Sequence, residues 1–158
     1  MLRQGLFTDL LIHRNDYVII KMSDIFPDYI VRSDVDILCR DKLEFAEHII
    51  KNISGFEIKS HTSGTHFQVD LYENNRLHLK FDLIDSLEEY GLYADPVFRK
   101  KRAKLRQGVQ FWVPQDVDEL QIRLVEYKKN PKKTWHGDYI VKHGPPGLLS
   151  DMGSRDKV

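Results

Sequence analysis

Residues 33–53, SDVDILCRDKLEFAEHIIKNI, place a strand pattern directly before a helix pattern. In DVDILC, acidic and apolar side chains alternate, which predicts a buried strand with Asp34 and Asp36 on one face. Asp41 is in the position of a helix N-cap, and the apolar side chains after it recur at helical spacing. The face that this helix is expected to bury consists of Leu43, Phe45, Ala46, Ile49, Ile50 and Ile53. Adjacent elements of different type, each with an apolar face, indicate a sheet covered by helices.

The rest of the chain continues this mixture of short strands and helices. Further strands are predicted at residues 17–21, 56–62, 66–73, 77–85 and 109–113. Helices are predicted at residues 2–13, 116–129 and 134–143, with a turn at 23–30 and polar helical structure over 86–107. The Asn74–Asn75 pair favours an antiparallel hairpin. The order of elements predicts an α/β (α+β) fold, a mixed sheet with helices packed on it plus C-terminal helices.

The helix over 116–129 has its own sequence signals. Asp116 is expected to be its N-cap, with Glu119 at the third helical position. Its buried stripe is predicted to consist of Val117, Leu120, Leu124 and Tyr127.

Length, charge and cysteine content narrow the classes of protein. With 158 residues, the chain is expected to form one domain over 1–143, with 144–158 as a flexible tail. Basic and acidic residues number 24 each, so the net charge is zero, which argues against nucleic acid as a partner. No apolar run approaches the roughly 20 residues that span a bilayer, and no signal-peptide pattern is present, so no membrane association is expected. The single cysteine, Cys39, excludes an internal disulfide and favours a cytoplasmic location.

Asp34 and Asp36 are the candidate metal ligands. Two carboxylates separated by one residue on a strand have Cβ atoms about 7 Å apart on one face. A divalent cation relieves their mutual repulsion and the cost of their desolvation, and hard oxygen ligands of this type select Mg²⁺. A third acid on a neighbouring strand would allow two metals about 3.5–4 Å apart, the arrangement used for in-line phosphoryl transfer.

The preferred third acid is Asp82, which lies between apolar residues in LKFDLID. Asp70 and Asp85 lie in similar surroundings and remain alternatives. Two histidines, His61 and His66, flank a glycine-containing turn and are expected to be loop residues rather than ligands.

The segments VIIKMS, SDVDILC and KFDLID together resemble the polymerase-β-like nucleotidyltransferase superfamily in its minimal form. The family pattern is an apolar strand ending in Gly-Ser or Gly-Gly, a spacer, Asp-apolar-Asp/Glu-apolar, and later an apolar-Asp-apolar strand. Ser23 stands at the serine position, residues 24–33 form the spacer, and Asp34-Val35-Asp36-Ile37 and Phe81-Asp82-Leu83 supply the two acidic motifs. The resemblance covers residues 15–127.

The resemblance implies an enzyme that uses Mg²⁺ or Mn²⁺ and a nucleoside triphosphate such as ATP. It would transfer a nucleoside monophosphate to a hydroxyl or phosphate of a small-molecule acceptor, for which a sugar is one candidate. By the same resemblance, Asp34 and Asp36 hold the metal that binds the triphosphate. Asp82 is a ligand of the second metal and the base, and Ser23 contacts a phosphate.

Basic residues near the acids are candidates for nucleotide binding. Lys80 shares the strand alternation of Asp82 and is expected to face the same side, as is His78. Arg32 and Arg40 flank the acidic pair in sequence. Two basic runs, 99–106 and 128–133, are interpreted either as an anion-binding surface or as solvated helix surfaces.

Met22 departs from the family pattern, because it stands where the family has a glycine. That glycine lets the backbone approach a phosphate closely. The departure leaves open a non-catalytic nucleotide-binding or regulatory module of the same fold. The resemblance to minimal members leaves open a third hypothesis, a toxin–antitoxin nucleotidyltransferase that modifies a partner protein.

Overall fold

The computed structural model describes residues 5–149, and it confirms the predicted α+β class. The chain divides into two compact units between Pro114 and Gln115. The first unit contains α1 (Leu6–Leu11), β1 (Tyr17–Ile20), β2 (Ser33–Cys39), α2 (Lys42–Asn52), β3 (Glu57–Ser63), β4 (His66–Glu73), β5 (Arg76–Ile84), a short 3-10 helix (Glu88–Tyr90), α3 (Ala94–Arg99), β6 (Arg102–Arg106) and β7 (Val109–Val113). The second unit contains α4 (Asp116–Lys129) and α5 (Thr134–His143).

The main sheet has five strands in the order β1-β2-β5-β4-β3. Strand β2 runs parallel to β5, and the other neighbouring pairs are antiparallel. The parallel pair needs a long crossover, which α2, β3 and β4 provide along the chain. Because β2 and β5 are neighbours, two sequence motifs more than 40 residues apart along the chain lie side by side.

The two faces of this sheet differ in polarity. One face carries apolar side chains that belong to the hydrophobic core, among them Ile37 and Phe81, which are fully buried. Helix α2 covers it with Phe45 and Ile49. The opposite face carries the polar side chains of the three inner strands, which alternation and register place together: Asp34, Asp36, Gln68, Asp70, Lys80 and Asp82.

The local signals for α2 are confirmed, whereas its predicted buried face is too wide. The Asp41 carboxylate accepts hydrogen bonds from the backbone N–H groups of Leu43 and Glu44, as an N-cap does. Leu43 and Ile50 were expected in the core, but their side chains are 57% and 44% exposed. Helical periodicity predicts which apolar residues of α2 lie on one side. How many of them are buried depends on how much of that side the sheet covers.

The largest error in the predicted elements falls in residues 86–107. Polar helical structure was expected there, but residues 102–106 form β6, which pairs antiparallel with β7. The connection is Gln107–Gly108, with both residues at positive φ, as in a two-residue hairpin turn. The Asn74–Asn75 turn has the same left-handed pair and connects β4 to β5 as predicted.

In the second unit, α4 begins one residue earlier than expected and buries a different face. Its N-cap is Gln115, and Asp116 is the first helical residue. Val117 is 72% exposed, and the buried positions are Glu119, Ile122 and Arg123. The stripe predicted from apolar residues alone is therefore wrong at its first position.

The described residues contain no helix that is long and apolar enough to cross a membrane. Of the predicted tail, residues 144–149 form turns and a short helical segment, and the rest lies outside the described residues.

Arg14 joins the segment before β1 to α2. Its Nε donates to Asp16 Oδ1 at 2.9 Å, its Nη2 donates to Glu44 Oε2 at 2.8 Å, and its guanidinium lies 4.9 Å from the Phe45 ring centroid. Burial raises the pKa of Asp16, but the hydrogen bond and charge of Arg14 outweigh it and hold that pKa below its usual value.

We expect Arg14→Met to lower the free energy of unfolding by about 1 kcal/mol at pH 7. A carboxylate with a lowered pKa stabilises the fold above its unfolded pKa, and this stabilisation disappears as the pH falls through the folded pKa. Urea unfolding of both proteins at pH 7 and pH 3 should therefore show a smaller difference at pH 3. Arg76→Met, at an exposed position, is the control. An equal loss at both pH values would contradict the ion-pair explanation.

Candidate active site

The site begins with two carboxylates on neighbouring parallel strands. Asp36 of β2 is the register partner of Asp82 of β5, so their backbones are about 4.8 Å apart on the same face. Asp34 lies two residues earlier on β2, is exposed, and has Lys80 as its partner on β5. The structure thus brings together the three acids that the sequence singled out.

Asp36 lies in a poorly solvated position. Its side chain is 15% exposed, and the Lys21 Nζ, whose side chain is 13% exposed, is 3.6 Å from its Oδ2. The pKa of Asp36 is raised to about 7, chiefly by burial and also by the charges of Asp34 and Asp82, while Lys21 opposes the shift. The elevated pKa is the expected result of placing carboxylates together away from water.

Asp82 is held by a histidine. His66 Nδ1 lies 2.9 Å from Asp82 Oδ1, and its Nε2 lies 2.9 Å from Glu89 Oε1. Burial lowers the pKa of His66, but the hydrogen bond and charge of Asp82, together with those of Glu89, raise it above its usual value. The imidazole is therefore a bridge between the sheet and the 3-10 helix, oriented by a carboxylate on each side.

The two alternative third acids lie elsewhere. Asp85 follows β5, is exposed, and has Lys42 Nζ at 3.6 Å. Asp70 is on β4, separated from β2 by β5, and its side chain is buried. Its Oδ2 is 4.0 Å from His61 Nδ1, and its Oδ1 has no hydrogen-bond partner among the described residues. Only Asp82 is in direct register with Asp36.

Ser23 follows β1 closely, at the sheet end where Asp34 lies. Its segment is held by the β6–β7 hairpin, because Arg106 Nη1 donates to the carbonyls of Ser23, Asp24 and Phe26 at 3.3, 3.0 and 2.9 Å. Arg106 belongs to the basic run 99–106, and its contacts hold the segment after β1 in place. Met22, just before Ser23, is half-buried and packs against the hydrophobic core.

The three candidate nucleotide-binding cations have different positions. Lys80 lies on the polar face between Asp34 and Asp70 in register and is half-buried. Arg32 has an exposed side chain and a positive φ, and its N–H donates to the carbonyl of His78. Arg40 follows β2 at the opposite end from Asp34.

Arg40 is engaged away from the acids. Its Nη1 donates to Asp95 Oδ1 at 2.8 Å, and its guanidinium lies 4.1 Å from the Phe98 ring centroid. Both partners are on α3, so Arg40 anchors that helix and is not brought to the carboxylates.

Two histidines differ from what the sequence predicted for them. His66 was expected to be a loop residue rather than a ligand, but it is the first residue of β4, the strand predicted over 66–73. Its alternation with Gln68 and Asp70 was the available signal for its contact with Asp82. His78 was expected to face the same side as Lys80, but a register irregularity near Leu71/Tyr72 breaks the alternation. Its Nε2 is 2.7 Å from the Tyr29 hydroxyl in the buried core.

The donor chemistry fits a divalent cation, although Asp36 and Asp82 each contact a basic side chain. Carboxylate oxygens are the ligands that Mg²⁺ prefers, and a cation would offset the repulsion that raises the pKa of Asp36. Within residues 5–149, no three His, Cys, Asp or Glu side chains form a ready metal cage. Asp36 and Asp82 instead contact Lys21 and His66.

Comparison with known proteins does not assign the chain to a family. Neither a family model, nor a curated protein, nor a solved structure matches it. The functional argument therefore depends on the site itself.

Proposed function

We propose that this protein is a metal-dependent nucleotidyltransferase. It would transfer a nucleoside monophosphate from a nucleoside triphosphate, carried with Mg²⁺ or Mn²⁺, to a hydroxyl or phosphate of a small acceptor. The observation that supports this most strongly is the side-by-side register of Asp36 and Asp82 on a polar sheet face that also carries Asp34 and Lys80. We also propose a cytoplasmic setting, in which the buried Cys39 stays a thiol.

Each residue has a role that follows from its position. Asp34, Asp36 and Asp82 would hold the metal, which supplies charge stabilisation for the phosphates. Asp82 would also accept the proton of the attacking hydroxyl. Lys80, between two carboxylate positions on the open face, would contact a phosphate. Ser23 would do the same from the clamped segment after β1.

The position of Met22 bears on whether a nucleotide can bind beside Ser23. A side chain at the family's glycine position would obstruct a phosphate if it extended into the site. Met22 instead packs against the core. The departure from glycine is therefore compatible with nucleotide binding next to Ser23.

The first experiment is a thermal-shift screen of the purified chain with each of the four NTPs, with and without Mg²⁺. A ligand that binds the native state raises Tm, so one NTP is expected to raise it only when Mg²⁺ is present. Asp36→Asn should weaken that binding at least about tenfold, because it removes a metal ligand at the centre of the site. Without ligand, Asp36→Asn should change Tm little, because the loss of repulsion from Asp34 and Asp82 offsets the loss of the ion pair with Lys21.

Asp85→Asn is the matched control, because it removes an exposed carboxylate just beyond β5. It should leave the Mg²⁺-NTP shift unchanged. Pyrophosphate release from the bound NTP then separates an enzyme from a binding module. If the wild-type chain shows no Mg²⁺-dependent shift with any NTP, the proposal is wrong.

A further inference from the structure

The environment of Asp36 contains a positive charge that the proposed chemistry does not use. Lys21 immediately follows β1, and its Nζ lies 3.6 Å from Asp36 Oδ2. The same Nζ donates to the Tyr90 hydroxyl at 3.1 Å, and the Tyr90 side chain is buried. The ammonium is therefore fixed between the sheet and the 3-10 helix.

A metal ion and this ammonium would compete for one carboxylate. Mg²⁺ binds carboxylate oxygens at about 2.0–2.1 Å, and Lys21 Nζ lies 3.6 Å from Asp36 Oδ2, so an ion on that oxygen would lie within about 6 Å of the ammonium. Both side chains are largely buried, with 13% and 15% exposure, so water and salt screen the repulsion poorly. Either the metal binds more weakly than three carboxylates would allow, or Lys21 must leave its position.

We propose that Lys21 is a built-in counter-cation of the metal site: it neutralises Asp36 in the metal-free protein and lowers the affinity of the site for divalent cations. The inference rests on the proposed function, which supplies the metal. It makes Lys21 a residue that sets metal affinity, with Tyr90 as the residue that positions it. The Lys21 ammonium stabilises Asp36 beside Asp82 when no metal–nucleotide complex is bound.

The test is a titration of the nucleotide-free full chain with Mn²⁺, with free Mn²⁺ measured by electron paramagnetic resonance. Lys21→Met should tighten Mn²⁺ binding about tenfold, because it removes the competing charge. Lys21→Gln removes the charge but keeps a polar side chain opposite the Tyr90 hydroxyl, and it should tighten binding similarly. Lys59→Met, at an exposed lysine of β3, should leave binding unchanged.

The outcomes separate this inference from the function on which it rests. If wild-type protein binds Mn²⁺ and both Lys21 variants bind it equally or more weakly, the counter-cation role is refuted while the metal site stands. Unchanged Mn²⁺ binding together with weaker Mg²⁺-ATP binding would also refute it and would assign Lys21 to a phosphate. If none of the proteins binds Mn²⁺, both the inference and the metal-dependent function are wrong.

Discussion

Asp82→Asn is expected to lower the rate of pyrophosphate release by roughly 10²–10⁴-fold, the range typical of a general base. The side chain keeps its shape, but it loses the negative charge that binds a cation and accepts a proton. It also weakens the contact with His66, whose Nδ1 is 2.9 Å from Oδ1. Steady-state pyrophosphate release with the NTP and metal identified by the thermal-shift screen measures the loss.

The two alternative acids provide the controls. Asp85→Asn should retain most of the rate, because Asp85 is exposed beyond β5 and interacts with Lys42. Asp70→Asn changes a buried side chain that lies two strands from β2, and it should affect stability more than turnover. A large loss of rate in either of these variants, with activity retained in Asp82→Asn, would assign the base elsewhere.

The effect of Asp82→Asn on Mn²⁺ binding separates its two proposed roles. A residue that is only the base should leave the Mn²⁺ affinity nearly unchanged. A residue that is also a metal ligand should lower both the affinity and the rate. We expect both to fall, because Asp82 is the register partner of Asp36.

Part of this site was visible in the sequence because it depends on local periodicity. Alternation along DVDILC puts Asp34 and Asp36 on one face whatever the sheet around them is. The Asp41 cap and the Asn74–Asn75 turn are also local, and the structure confirms both. Strand alternation, helix caps and turns depend on a few adjacent residues, so they can be predicted without knowing the tertiary structure.

The pairings across strands could not be derived in the same way. Asp36 meets Asp82 only because β2 and β5 are parallel neighbours, a contact between motifs that are distant along the chain. Lys21 reaches Asp36 from the end of β1, and His66 reaches Asp82 from β4, so these contacts also depend on pairings between strands. The sequence offered three candidate acids on strands without indicating which strand borders β2.

The error at β6 has a different physical cause. The run RKKRAKLR is rich in residues of high helix propensity, so a helix was expected. Pairing with β7 through the Gln107–Gly108 turn overrides that preference. In the hairpin, Arg106 reaches the carbonyls around Ser23, a contact that a helix would not have placed there.

The largest stability effect is expected at Phe81, which lies between Lys80 and Asp82 in sequence but points to the other face. Its side chain is fully buried, and its ring centroid is 5.8 Å from that of Phe7 in an edge-on contact. Phe81→Ala removes most of a ring from a close-packed core and should cost about 3–5 kcal/mol. For a chain of this size, that corresponds to a fall in Tm of roughly 6–20 °C.

Leu43→Ala is the control for this prediction, because Leu43 was expected in the same core but is 57% exposed on α2. It should cost less than about 1 kcal/mol by urea unfolding. Phe81→Ala protein that remains folded at low temperature should still bind Mn²⁺, since backbone pairing of β2 with β5 positions Asp36 and Asp82. Comparable losses of stability in the two variants would show that this face of the sheet is not the main core. Loss of Mn²⁺ binding from folded Phe81→Ala would show that core packing, rather than strand register, holds the acids together.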